Sequence, residues 1–291
     1  MTVTPEQVKI LRDRTGAGVM DCKRALEESG GDLEKAVEVL RKKGAATAQK
    51  RADKMAKEGA IVTRVSDDGK LGLVVEVNCE TDFVARGEDF VGFANAVAEA
   101  IAKGRPSAIT QIAGLTALNG KKVSDLFNEL LAKVGEKIEV RRFAIYESPD
   151  GHVGAYTHMG NKIGVLVELA GFAGPEPHVP VSVPQTGQDG AVLSRDIAMQ
   201  IAAMSPQYIR REDVSKDVVD REMEIYKTQA RNEGKPEQII DRIAMGKLEK
   251  FYQEVCLMEQ TFIKDPARTI KELLGSAVHV KRFQRFHLGE N

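Results

Sequence analysis

The chain is expected to fold as an α+β protein. A helical module at the amino terminus, a two-part core with small antiparallel sheets and a projecting antiparallel helical hairpin make up the expected architecture. Three observations carry this expectation. Apolar residues recur at helical spacing before residue 44 and again between residues 218 and 259. Between those regions, period-two strand patterns followed by a helix appear twice. Turn signals, Asp67-Asp68-Gly69, Asp150-Gly151 and Gly160-Asn161, separate the strand patterns. At 291 residues the chain is long enough for two or three packed units.

Residues 1–45 read as a three-helix module. Thr4 caps a helix with Pro5 at its first position, and Val8 and Leu11 mark its buried stripe. Thr15-Gly16-Ala17-Gly18 ends it. A second helix, from about Asp21 to Glu28, presents Ala25 and Leu26, and Gly30-Gly31 breaks the chain again. Asp32 then caps a third helix carrying Leu33, Ala36, Val37 and Leu40. A core this small is marginal by itself. Residues 46–59 lie within a small, polar, Lys- and Arg-rich stretch, read as a solvated, partly helical linker, with a nucleic-acid arm as the alternative.

Residues 60–137 are expected to form the first half of the core. Its strands are Ala60 to Val65 and Leu71 to Asn78, with Leu71, Leu73, Val75 and Val77 alternating on one face. Arg86-Gly87-Glu88-Asp89 breaks the chain and starts a helix with the stripe Phe90, Ala94, Val97, Ala98 and Ile101; a second helix, Ser124 to Lys133, buries Leu126, Leu130 and Leu131. Residues 138–212 repeat the theme. Ile138 to Tyr146 opens it, strands at Val153 to Thr157 and Ile163 to Leu169 follow, and Ile197, Ala198, Ile201 and Ala202 mark its helix. Before that helix, Ala173 to Gly190 holds four of the ten prolines and has no helical period.

Residues 213–262 read as the hairpin, two helices joined at Gly234-Lys235-Pro236, with Ile240, Ile243, Leu248, Phe251, Tyr252 and Val255 as the seam of the second. In residues 263–291, Asp265 is expected to cap a last helix with Pro266 at its first position. A strand over Val278 to His287 then returns to the core.

Composition narrows function. Net charge is −1, with 29 % charged and 42 % hydrophobic residues, which argues against a phosphate backbone as main partner. No Trp and only five Tyr leave little for stacking on bases. No apolar run approaches the roughly 20 residues a bilayer requires, and the start MTVTPEQVKI lacks a signal core. Cys22, Cys79 and Cys256, odd in number and far apart, suit a reducing cytoplasm.

Chemistry is scarce. Gly16-Ala17-Gly18 begins a dinucleotide fingerprint, but Asp21 stands where its last glycine should be, and no GxxxxGK[ST] loop exists. Five histidines are scattered without metal-ligand spacing, and Cys79 beside Glu80 ends an apolar strand with no nearby His. No catalytic residue, cofactor or metal is expected, and the chain reads as a binding protein rather than an enzyme. Its most informative stretch is Thr81-Asp82-Phe83-Val84, a strand-to-helix loop with a scaffold on both sides. Phe83 there is either a displayed wedge with the Asp82 charge at its base or a staple packed on Phe90.

NCETDFVAR (Asn78 to Arg86) and RTGAGVMDCKRAL (Arg14 to Leu26) resemble the elongation factor Ts family. So do VGEKIEVRR, HMGNKIGVLVEL, IAMQIAAMSPQYI and KLEKFYQEVCLMEQTFIKDP, in the family's order. The resemblance implies a ubiquitin-associated-like amino-terminal module and a hairpin that projects as a coiled coil. It implies a guanine-nucleotide exchange factor of translation elongation that binds elongation factor Tu in its GDP-bound and nucleotide-free forms. Such a factor disturbs the partner's Mg²⁺/phosphate site, so that GDP leaves and GTP can bind. Phe83 would be the inserted ring, with Asp82 fixing the loop or pairing with the partner and Thr81 and Val84 holding the wedge.

Further contacts implied by the resemblance are Arg12, Val19 and Met20, then Val134 and Gly135, then His158. Val19 stands where the family usually has Met. On residues alone, Val19 and Met20 could instead close the three-helix core, Val134 could be core, and His158 a turn residue. The family's connection at 173–190 is shorter, and many of its members continue past the Gly289-Glu290-Asn291 end with a helical segment. No nucleic acid or membrane partner is expected; the hairpin could meet the partner or a second copy. The alternative function is an RNA- or ribosome-associated accessory using the basic linker.

Overall fold

The computed structural model describes residues 3–51, 53–172 and 190–290. Nearly all of the proline-rich stretch therefore lies outside the described residues. Helices α1 (Pro5–Thr15), α2 (Val19–Glu28) and α3 (Leu33–Lys50) form the amino-terminal module. Thr4 and Gln7 build a capping box ahead of Pro5, and the Asp32 carboxylate accepts the N–H groups of Glu34 and Lys35. Leu11, Cys22, Leu26, Ala36 and Leu40 make the small core. The third helix runs on to Lys50, so the first part of the expected linker is helix.

Strands β1 (Glu58–Val65) and β2 (Leu71–Cys79) are followed by α4 (Asp82–Arg86), α5 (Glu88–Gly104), α6 (Val123–Val134) and β3 (Glu139–Glu147). One sheet has the order β1-β2-β3, all antiparallel. This corrects the reading of Ile138 to Tyr146 as the opening of the second half. A two-stranded hairpin is marginal by itself, and β2 gains its second ladder from this later strand. Helix α5 lays Phe90, Val97 and Ile101 on Leu73, Val75 and Val77.

The second unit runs β4 (His152–Thr157), β5 (Ile163–Ala170), α7 (Gly190–Met204), α8 (Lys216–Asn232), α9 (Glu237–Val255), β6 (Thr261–Phe262), β7 (Asp265–Thr269), α10 (Ile270–Leu274) and β8 (His279–His287). Its sheet order is β4-β5-β8. The expected helix at Asp265-Pro266 is instead the edge strand β7. Thr269 and Glu272 form a reciprocal capping box that starts α10 four residues later, whereas the Asp265 carboxylate accepts the Ala267 N–H, at 3.3 Å. In the hairpin, Val214, Val255 and Cys256 pack the base, while Ile225 and Met245 farther out are exposed. Helices α8 and α9 pack chiefly on each other.

The two sheet units are internal repeats. Gly72 and Glu76 of β2 correspond to Gly164 and Glu168 of β5, and the register shifts directly after each glutamate. Val97, Ala98, Ile101 and Pro106 in or after α5 recur as Ile197, Ala198, Ile201 and Pro206 around α7. Arg105 and Ser205, which close those helices, both have positive φ, 45° and 50°. The units face each other reciprocally: the Arg142 guanidinium lies 4.4 Å from the Phe286 ring centroid, and Arg282 lies 4.1 Å from that of Tyr146. A Cβ on Gly72 would meet Val153 and Leu166, and one on Gly164 would meet Ile61 and Val74. Each sheet is thus covered by its helix on one face and by the other sheet on the second.

Two carboxylates are sealed in this arrangement. Glu76 and Glu168 are both 0 % exposed. Arg142 Nε donates to Glu76 at 2.7 Å, while Lys281 Nζ and Arg282 Nε donate to Glu168 at 3.0 and 2.6 Å. Such pairs meet the demand that buried charge be matched and hydrogen-bonded. All three cysteines are free and buried. Among the described residues, no helix is long and apolar enough to cross a membrane.

Candidate functional site

The Thr81–Val84 segment is not the loop expected of it. Thr81 has extended backbone and caps a short helix, accepting the Val84 N–H on its hydroxyl at 3.4 Å, so Asp82 to Arg86 form α4. Phe83 points out of this turn and is 85 % exposed. Phe90 is fully buried under α5, so the staple reading falls: the core has Phe90 without Phe83. Val84 and Ala85 pack down on the first core, and Asp82 pairs with Arg86 across one turn at 2.7 Å. A ring in water forgoes roughly 1.5–3 kcal/mol of burial. A single exposed apolar side chain is ordinary; the bracing beneath this one is the informative part.

That bracing comes from groups to which the sequence assigned no such role. Glu136, directly after the α6 cap, accepts the Thr81 N–H on Oε2 at 3.0 Å and the Thr81 hydroxyl on Oε1 at 2.7 Å. Glu80 accepts the Lys137 N–H at 2.6 Å and ion-pairs with Arg51 at 2.7 Å. The Lys137 N–H, then Arg51, hold the Glu80 carboxyl below its ordinary range, against the opposing effect of desolvation. Cys79 donates its thiol to the Thr81 carbonyl at 3.1 Å. Burial, aided by the Glu136 charge, pushes that thiol up to about 12, so it is a packing group rather than a nucleophile. The only signal available in the sequence was the position of Glu136 beside the singled-out Val134 and Gly135.

The other singled-out residues divide into three places. Gly135 closes α6 in left-handed conformation (φ 65°), and Val134 is half-buried against the first core. Val134 is therefore largely a packing residue. Arg12 is exposed on α1, and Val19 and Met20, which open α2, are 48 % and 60 % exposed, so they do not close the module's core. The Lys133 side chain lies against Gly16 of that module and reaches Asp89 at 2.7 Å, tying the α1–α2 turn to α6 and the start of α5. His158 belongs to the other sheet. It is exposed at the β4–β5 turn, where its Nδ1 meets the Tyr156 hydroxyl at 3.1 Å, with exposed Met159 beside it.

Some of the cations in and beside the basic stretch are already engaged by carboxylates. Arg41 pairs with Glu129, Lys43 with Asp21 and Arg51 with Glu80. Among the described residues no group of three or more His, Cys, Asp or Glu could hold a metal ion. What the arrangement presents is an exposed aromatic ring on a short helical turn whose cap residue is held by Glu136.

Residues 80–290 match the family model described as "Elongation factor TS". Over 295 residues, 99 % of this chain and 93 % of the relative, the sequence is 45 % identical to elongation factor Ts of Clostridium perfringens (strain SM101 / Type A). It is 43 % identical to elongation factor Ts of Chlorobium phaeovibrioides and 44 % to that of Prosthecochloris aestuarii, covering 99 % of both chains in each case.

Proposed function

This chain belongs to the elongation factor Ts family, and we propose that it is the guanine-nucleotide exchange factor of elongation factor Tu in its cell. In this reading it engages the GDP-bound partner, inserts Phe83 beside the Mg²⁺ and phosphates of the nucleotide site, and lets GDP leave so that GTP can enter. Magnesium demands near-ideal octahedral geometry and keeps several waters, so a rigid ring displacing one ligand or water is costly to it. No bond is made or broken. The observation that carries the reading is Phe83, 85 % exposed on a braced turn inside the family's motif.

Linkage sets the scale. A factor that loosens GDP must hold the nucleotide-free partner more tightly by the same factor, at about 1.4 kcal/mol for each tenfold. Burying one Phe supplies roughly 1.5–3 kcal/mol, or about one to two decades. Greater acceleration needs further surfaces, and Arg12, Val19 and Met20 on one side, with His158 on the other sheet, are the exposed groups suited to it. The test uses substoichiometric chain and elongation factor Tu loaded with fluorescent GDP in excess unlabelled nucleotide. Turnover of many partner molecules per factor is the expected result; release at the spontaneous rate would reject the function.

A further inference from the structure

We infer that Glu136 is a positioning residue for Phe83: its carboxylate clamps the Thr81 N–H and hydroxyl and so fixes the direction in which the ring is presented. The inference rests on the exchange reading above and adds to it a residue outside the Asn78–Arg86 stretch that carries Phe83. In the β2–β3 ladder Asn78 faces Glu139. Continuing that register puts Glu80 opposite Lys137 and Thr81 opposite Glu136. At both positions a side-chain carboxylate takes the place a backbone carbonyl would have held: Glu80 receives the Lys137 N–H and Glu136 the Thr81 N–H. The β2–β3 pairing is thereby extended three residues past its last backbone pair, up to the cap of α4.

The clamp matters because little else orients the ring. Phe83 has almost no packing of its own. Its direction follows the backbone of α4, a helix of 5 residues, too short to be stable unaided. The Asp82–Arg86 pair on it is exposed and contributes little. Val84 and Ala85 anchor one side of the turn; Glu136 alone receives both donors of its cap residue, in a charge-assisted, two-point contact.

Glu136→Gln tests this with an isosteric side chain whose amide nitrogen cannot accept, leaving one Thr81 donor unserved. Hydrogen–deuterium exchange on the full chain should show amides over Thr81 to Ala85 exchanging at least tenfold faster, with those of β1 and α5 unchanged. Saturating variant should release GDP from elongation factor Tu about tenfold more slowly than saturating wild type, with the half-saturating concentration within about twofold, since the docking surfaces are intact. In a Phe83→Ala background, Glu136→Gln should cause no further loss, because its effect passes through the ring.

An additive loss in that background, a raised half-saturating concentration at unchanged maximal rate, unchanged exchange at Thr81, or faster exchange throughout β1 and α5 would each overturn the assignment. A wild-type chain that fails to speed GDP release would instead sink the functional reading. The amide data would still decide separately whether the clamp holds the turn.

Discussion

Alanine at Gly164 should destabilise the protein, whereas alanine at Gly92 should not. Gly164 lies where the two sheets meet. A Cβ there would sit 2.3 Å from Ile61 Cγ2 and 3.3 Å from Val74 Cγ2, and the first of these is shorter than real Cβ contacts. Both neighbours are themselves fully buried, so relief requires the sheets to part by roughly 1 Å, an overpacking cost of about 1–3 kcal/mol. Gly92 is exposed in the middle of α5 with nothing within 4 Å of its built Cβ. There alanine removes glycine's helix penalty and should stabilise by up to about 1 kcal/mol. Urea unfolding of the two variants beside wild type, compared at constant slope, reads both signs. Gly164→Ala as stable as wild type, or Gly92→Ala as damaging as Gly164→Ala, would refute the close-packed inter-sheet contact. That contact also sets the spacing between Phe83 on one unit and His158 on the other.

Glu76→Ala should cost about 3–5 kcal/mol, because it strands Arg142 beside a sealed site; the same urea titration measures it. The Glu168 carboxyl is held below its ordinary range by Lys281 and Arg282, which outweigh its desolvation. Its contribution is therefore complete above the unfolded-state value and is lost as pH falls below about 4.5 through the folded value; Glu168→Gln should flatten that part of the acid-unfolding curve. Cys79, pushed up to about 12 by burial, should resist a thiol reagent at pH 8 in the native protein and react once urea unfolds it. Val19→Ser and Met20→Ser, at exposed positions, should leave unfolding within about 0.5 kcal/mol of wild type. Each should nevertheless raise the concentration for half-maximal GDP release several-fold.

Much of the fold was legible because its signals are local. Thr4-Pro5, Gly30-Gly31 and the stripe of α5 are short-range patterns that tertiary packing reinforced. The placement of β3 was not legible, since pairing Glu139–Glu147 with β2 depends on which of several apolar strands fills an open edge. The Asp265-Pro266 error has a narrower cause. Two capping signals lie four residues apart, and the one with a glutamate to complete the box prevailed. At the candidate site, the motif made Phe83 conspicuous, but its bracing could not be seen. Glu136 acts on the backbone of a segment 55 positions away, and a side chain accepting from a distant N–H leaves no periodicity to read.

The most direct measurement is the maximal rate of GDP release from elongation factor Tu with saturating Phe83→Ala, set against saturating wild-type chain. Because the ring is 85 % exposed in the free protein, the variant should fold and melt as wild type does. It should release GDP about 10- to 100-fold more slowly, the equivalent of one buried phenylalanine. A variant as fast as wild type at saturation would contradict the account, however well the two chains bind the partner.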